Sequence, residues 1–199
     1  WDNYGNCCVD IPNNFCDCNS EVVSLWTGCF SIEGTNSLHF EDYGITGELP
    51  AQIGYLTNLN QIYLSFNQLT SIPETIGNLT KLKRLHLVGN LISSVPNTIT
   101  NLVNLEQLSL GDNNLVNLPE DINLLTNLYF LTINNNQLTS LPETICDIIP
   151  NISQFGTSGN LLCPEYQYSC YDNWGEQDQS NCDCAGVTGG DAVEDECGE

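Results

Sequence analysis

The sequence predicts an α/β repeat solenoid, an elongated stack of similar coils, on three observations. "NQLTSIPETI" (67–76) returns as "NQLTSLPETI" (136–145) with one letter changed, 69 residues on. That offset is three times 23, and copies of the same frame stand at the two intermediate positions, on Asn90 and Asn113. A proline follows the last apolar pair of each copy (Pro73, Pro96, Pro119 and Pro142), which breaks any helical reading of the pattern.

The frame defines each element in turn. The second copy runs Leu79-x2-Leu82-x2-Leu85-x-Leu87-x2-Asn90-x-Ile92, and the third and fourth repeat it on Leu102 and Leu125. The L-x-L pair is a short strand whose faces alternate, so Leu64, Leu87, Leu110 and Ile133 point inward and the intervening positions point out onto a sheet. Asn67, Asn90, Asn113, Asn136 and Asn160 fall where the chain turns, and are predicted to form a buried ladder bonded to backbone groups that the turn leaves unpaired. The prolines end the strand side and set an extended segment on the other. Two weaker copies flank the four: one on Leu38, Phe40, Tyr43 and Ile45, with tyrosine at the asparagine position, and one ending on Asn160, stretched by one residue.

The motif L-x-x-L-x-L-x-x-N-x-L resembles the leucine-rich repeat family over roughly residues 38–163. The resemblance implies a horseshoe with short parallel strands on the concave face, turns and short 3-10 segments on the convex face, and disulfide caps at both ends. The expected divisions are a Cys-rich cap at 1–37, about six repeats of 23–24 residues at 38–162, and a Cys-rich acidic cap and tail at 163–199. "CPEYQYSC" after Leu162 is similar to the cysteine cap of plant-type members, which implies pairing of Cys163 with Cys170. "ITGELPAQIGYL" resembles the plant-type repeat found in receptor ectodomains and polygalacturonase inhibitors, although the later copies drop its glycine.

The eleven cysteines cluster at the two ends, as end caps would place them, and predict an oxidising compartment. Their number is odd, so at least one is free or joined to another molecule. Cys16-x-Cys18 and Cys182-x-Cys184 lack the two-residue gap and nearby histidine usual for zinc, and no metal site is expected. The chain begins at Trp1 and has no methionine, the pattern of a processed, secreted chain, and no apolar run is long enough to enter a membrane as a span. Asn78-Leu79-Thr80 and Asn151-Ile152-Ser153 are N-glycosylation sequons.

Three basic against 25 acidic residues, a net charge of −22, argue against nucleic acid and anionic membrane as partners. Of the outward strand positions only Glu41 is acidic; the acids lie instead at Glu74, Glu120, Asp121, Glu143 and Asp147, and in the tail. The sheet face is therefore neutral, polar and dotted with rings, with His39, Tyr63, Arg84, His86 and Phe130 as candidate binding residues for a protein or a glycan. Lys81, Lys83 and Arg84 form the whole basic complement, either a local surface charge or a receiver for an acidic segment of another copy such as "DAVEDECGE". Calcium at the clustered tail carboxylates is physically reasonable, but "DNWGEQDQSNCD" lacks the EF-hand ligand spacing.

No catalytic constellation is legible. His39 and His86 share a sheet column two strands apart, roughly 10 Å at about 4.8 Å per strand, too far to share a metal or proton. The sequence reading is a secreted, non-catalytic interaction protein, favoured as a self-assembling structural component of a wall, matrix or filament. The alternative is a soluble recognition protein, such as a glycan-hydrolase inhibitor or receptor ectodomain, that binds through its concave face.

Overall fold

A computed structural model describes residues 22–26, 28–164, 168–180 and 182. An antiparallel hairpin, β1 (Val22–Leu25) and β2 (Gly28–Ser31), leads into the coils. Each coil then contributes one short strand to a parallel sheet: β3 (Ser37–His39), β5 (Gln61–Tyr63), β7 (Arg84–His86), β8 (Gln107–Ser109), β9 (Phe130–Thr132) and β10 (Gln154–Gly156), paired in that order. The register is strict, with Tyr63, His86, Ser109 and Thr132 in one column, His39 beside Tyr63 at one end and Gly156 beside Thr132 at the other.

The leucine frame explains this stacking. Leu79, Leu82, Leu85, Leu87, Ile92 and Ile99 of one coil are all fully buried, as are their equivalents before and after. Each such side chain contributes about 1.5–3 kcal/mol when removed from water, and only the neighbouring coils supply the cover. On the convex side Pro50, Pro73 and Pro96 hold extended backbone, each immediately followed by a 3-10 turn: Ala51–Tyr55, Glu74–Asn78 and Asn97–Asn101. The fourth turn is shorter, Ile122–Leu124, and the fifth coil has a single helical turn, α1 (Ile145–Ile148), running into Ile149–Asn151.

The asparagine ladder is buried and fully bonded. Asn113 accepts the Ile92 N–H through Oδ1 at 3.0 Å and donates from Nδ2 to the carbonyls of Leu87 at 2.9 Å and Leu110 at 3.1 Å. Asn67, Asn90, Asn136 and Asn160 make the same reach into the preceding coil. The first coil, which has Tyr43 at the ladder position, is served by Asn67, whose Oδ1 takes the N–H groups of both Tyr43 and Ile45. A small second sheet, β4 (Thr46–Glu48) on β6 (Gln68–Ser71), joins only the first two coils. Farther along, a single backbone bond per coil replaces it, as from Asn114 N–H to the Ile92 carbonyl at 2.9 Å.

The expected Cys163–Cys170 bridge is not formed: Cys146 pairs with Cys170, and Cys163 with Cys182. The reason lies in how the chain leaves the last coil. Cys163 is fully buried behind Leu162, whereas 168–174 is drawn across the open end of the stack. There the Tyr168 hydroxyl donates to the Leu141 carbonyl and the Tyr171 hydroxyl to that of Phe155, both at 2.8 Å. That path delivers Cys170 to Cys146 on α1 and leaves Cys163 for the returning Cys182. Trp174, 6% exposed, closes the stack edge-on to Phe155 and Tyr171. Cys29 is also disulfide-bonded. The other amino-terminal cysteines, Cys184, Cys197 and the acidic "DAVEDECGE" segment lie outside the described residues.

Candidate functional site: the concave face

Strand alternation places every second residue on the concave face, and the six-strand register turns those residues into columns. In the column of the third strand position, His39 stacks on Tyr63 with ring centroids 4.7 Å apart, and Tyr63 meets His86 edge-to-face at 4.8 Å. His86 then reaches the next strand, its Nε2 lying 3.1 Å from Gln107 Oε1. Gln107 Nε2 donates onward to the Tyr129 hydroxyl at 2.5 Å. With Nε2 of His86 carrying the proton, the groups form one continuous chain, His39–Tyr63–His86–Gln107–Tyr129, across five coils.

Half-burial in this chain pushes the His86 pKa down by desolvation, its largest cause; the bond to Gln107 and the field of Glu41 oppose it, and Arg84 adds to it. Burial therefore biases the imidazole toward its neutral form, against the pull of the Gln107 amide oxygen. Among the described residues neither histidine bonds to a serine, threonine or cysteine hydroxyl or thiol: His86 has Gln107 as its hydrogen-bond partner, and His39 has its ring contact.

The other predicted residues are dispersed. Phe130 is half-buried in a different column, level with Arg84 and Gln107. Lys83 is already engaged, 2.8 Å from Glu106 Oε1, and Lys81 donates to Asn58 Oδ1 at 2.7 Å, so the basic patch is largely satisfied within the chain. Asn78 and Asn151 are exposed at the ends of convex 3-10 turns, away from the sheet face. Ser65 and Ser109 are each 4% exposed, and Gly111 is buried too; these outward positions form a low floor rather than contact groups. A Cβ at Gly111 would stand 2.9 Å from Asn134 Oδ1, so the floor must stay small there.

Sequence reasoning missed Gln107 and Tyr129. Gln107 sits in the column of Gln61 and Arg84 rather than that of His86, and Tyr129 precedes its strand, so neither belongs to the histidine column on alternation alone. Among the described residues no group of three metal-ligating side chains converges, and no helix is long and apolar enough to cross a membrane.

Comparison with known proteins agrees with this architecture. The leucine rich repeat family model matches residues 57–115. Among solved structures, the leucine-rich repeat ectodomain of the receptor kinase SOBIR1 from Arabidopsis thaliana is 32% identical, covers 62% of this chain and 69% of its own, and superposes with a TM-score of 0.57. The BIR2 ectodomain of the same plant is 26% identical over 66% of this chain and 71% of its own, with a TM-score of 0.55. The Arabidopsis receptor kinase HAESA, solved with the peptide hormone IDA and the co-receptor SERK1, is 34% identical over 59% of this chain, with a TM-score of 0.55. This chain spans 20% of that structure. A search of curated proteins gives no match.

Proposed function

The chain belongs to the leucine-rich repeat family, and on that premise we propose that it is an extracellular, non-catalytic recognition protein that binds a protein or peptide partner across its concave sheet. The observation that carries this reading is the ring-and-amide chain His39–Tyr63–His86–Gln107–Tyr129 beside the low floor of Ser109, Gly111 and Gly156. Rigid rings with few rotatable bonds supply contact area at small entropic cost, and amides supply hydrogen bonds without a charge to desolvate. The disulfides at the far end and the likeness to receptor ectodomains support an extracellular site of action.

Self-assembly through the basic patch is the weaker reading, since Lys83 is paired with Glu106 and Lys81 is held by Asn58. The test is selection of a phage-displayed peptide library on the wild-type protein, with counter-screening on Tyr63→Ala and His86→Ala. Enriched peptides that lose at least about ten-fold in affinity, roughly 1.4 kcal/mol, on either variant support the concave face. Peptides indifferent to both substitutions would sink the reading. A glycan array run in parallel decides whether the same surface prefers sugars.

A further inference from the structure

The repeat supplies its own reference against which each coil can be compared. The residue just before the ladder position is left-handed in all six coils: Asp42 (φ 58°), Phe66 (59°), Gly89 (68°), Asp112 (54°), Asn135 (53°) and Gly159 (71°). The turn that swings the ladder side chain inward demands this conformation, which glycine, asparagine and aspartate tolerate and a bulky side chain resists. Five coils comply and Phe66 does not. Its ring gains little burial in return, being 61% exposed, and it lies so close over Gly89 that a Cβ there would come within 2.8 Å of it.

The neighbouring coil departs from the frame at the adjoining position. Tyr43 replaces the ladder asparagine and is 69% exposed, its ring edge-on to Phe40 at 5.3 Å. The Asp42 N–H donates to the Ser65 carbonyl at 3.0 Å, which sets Asp42 and Tyr43 directly beside Ser65 and Phe66. Glu41 and Asp42 are exposed as well. Among the described residues the salt bridge formed is Lys83–Glu106, so this rim holds two solvent-facing rings and two carboxylates that are not ion-paired.

We propose that this rim is a docking site for an arginine-bearing segment of a protein partner. A guanidinium is planar, stacks on aromatic faces and pairs with carboxylates, so Phe66 and Tyr43 take its face while Asp42 and Glu41 take its charge. Glu41 adjoins the concave ring chain, its field reaching His86, whereas Asp42, Tyr43 and Phe66 belong to neither that chain nor its hydrogen bonds, so variants at 42 and 66 test this site apart from it.

A functional Phe66 and a merely tolerated one differ in a measurable way. Phe66→Asn fits the left-handed turn, so it raises Tm by ~2–6 °C while weakening the docked segment. The probe is the peptide acetyl-Gly-Arg-Gly-Arg-Gly-amide, titrated at low salt by heteronuclear NMR, with its glutamine counterpart as the uncharged control. Shifts centred on residues 41–43 and 66, weakened at least five-fold by Phe66→Asn and by Asp42→Asn but unchanged by Tyr63→Ala or Glu120→Gln, are expected. Equal binding by Phe66→Asn, equal binding of the glutamine peptide, or loss only with Tyr63→Ala would overturn the proposal. Concentration-dependent dimerisation abolished by Phe66→Asn would also overturn it, by making a second copy the occupant.

Discussion

The convex side offers a test of how tightly neighbouring coils are coupled. In the first coils a threonine hydroxyl donates back to the previous turn, Thr75 to the Ala51 carbonyl at 2.6 Å and Thr98 to that of Glu74 at 2.7 Å. In these two coils glycine stands opposite, and a Cβ at Gly54 or Gly77 would stand 2.6 Å from the carbonyl oxygen of Thr75 or Thr98; where the turn shortens to Ile122–Leu124, Thr144 makes the same bond to the Glu120 carbonyl with Asn123 opposite. One coil beyond Gly77 and Thr98 both partners change together. Thr100 stands where the glycine would be, and Asp121, which cannot donate, stands where the threonine would be. Thr100 Oγ1 instead donates to the Asn97 carbonyl at 2.9 Å, the group a threonine at 121 would have used. Asp121→Thr alone should therefore change stability by no more than about 0.5 kcal/mol, the usual range for a surface change. Thr100→Gly alone should cost ~1–2 kcal/mol, one hydrogen bond plus the flexibility of glycine. The double variant restores the earlier arrangement and should recover about 1 kcal/mol of that loss, ~2–4 °C in Tm for a chain of this size. Urea denaturation of the four proteins reads the coupling directly. Additivity within about 0.3 kcal/mol would refute the claim that the two positions changed as a pair.

Three further outcomes follow from the geometry. Asn113→Ala leaves the Ile92 N–H buried and unpaired while the Leu87 carbonyl keeps the Asn90 Nδ2 donor at 3.0 Å, and should cost ~1–3 kcal/mol in denaturant unfolding, with Asn134→Ala as a near-neutral control. Burial lowers the His86 pKa below its unfolded value of 6.5, so its contribution to stability is fully present above that value and is lost as pH falls toward the folded pKa. Tm measured from pH 8 to pH 5 should decline less in His86→Phe than in wild type. Cys170→Ser opens a link across 24 residues, worth ~3 kcal/mol in the chain-entropy model. Its effect should appear as faster amide exchange in β10 with β5 and β7 unchanged, because each coil leans only on its neighbours.

Much of this fold is legible from single residues because its determinants are local and repeated. Inward leucines, the turn asparagines and the prolines each act within one coil or on the next, so a 23-residue period exposes them. What escaped the sequence depends on how separated segments meet. Cys163 and Cys170 are close in sequence, yet the path fixed by Tyr168 and Tyr171 sends them to different partners. The His86–Gln107–Tyr129 relay needs side chains that cross between columns, which alternation alone does not encode. The small second sheet likewise depends on the register of β4 against β6. The left-handed column was present in the sequence as Asp, Phe, Gly, Asp, Asn and Gly, but it becomes a conformational constraint only when the backbone shows φ positive at all six.

That column bears on where such a molecule can carry function. In a globular core a misfit is shared among many neighbours, whereas in a stack it is confined to one coil and its two interfaces. Phe66 illustrates the consequence: its backbone is strained, but the ladder beneath it is intact, with Asn67 bonded to the Leu64 carbonyl at 2.9 Å and to the Phe40 carbonyl at 2.7 Å. The fold therefore tolerates an aromatic where five other coils place a small or polar residue, and the leucines on either side need no adjustment. The concave rings follow the same logic without strain, because outward strand positions leave the buried leucines untouched. Departures from the frame fall into two kinds: at Thr100 and Asp121 the Asn97 carbonyl is still bonded, by the Thr100 hydroxyl, and no ring is exposed, whereas Tyr43 and Phe66 leave their rings 69% and 61% in solvent.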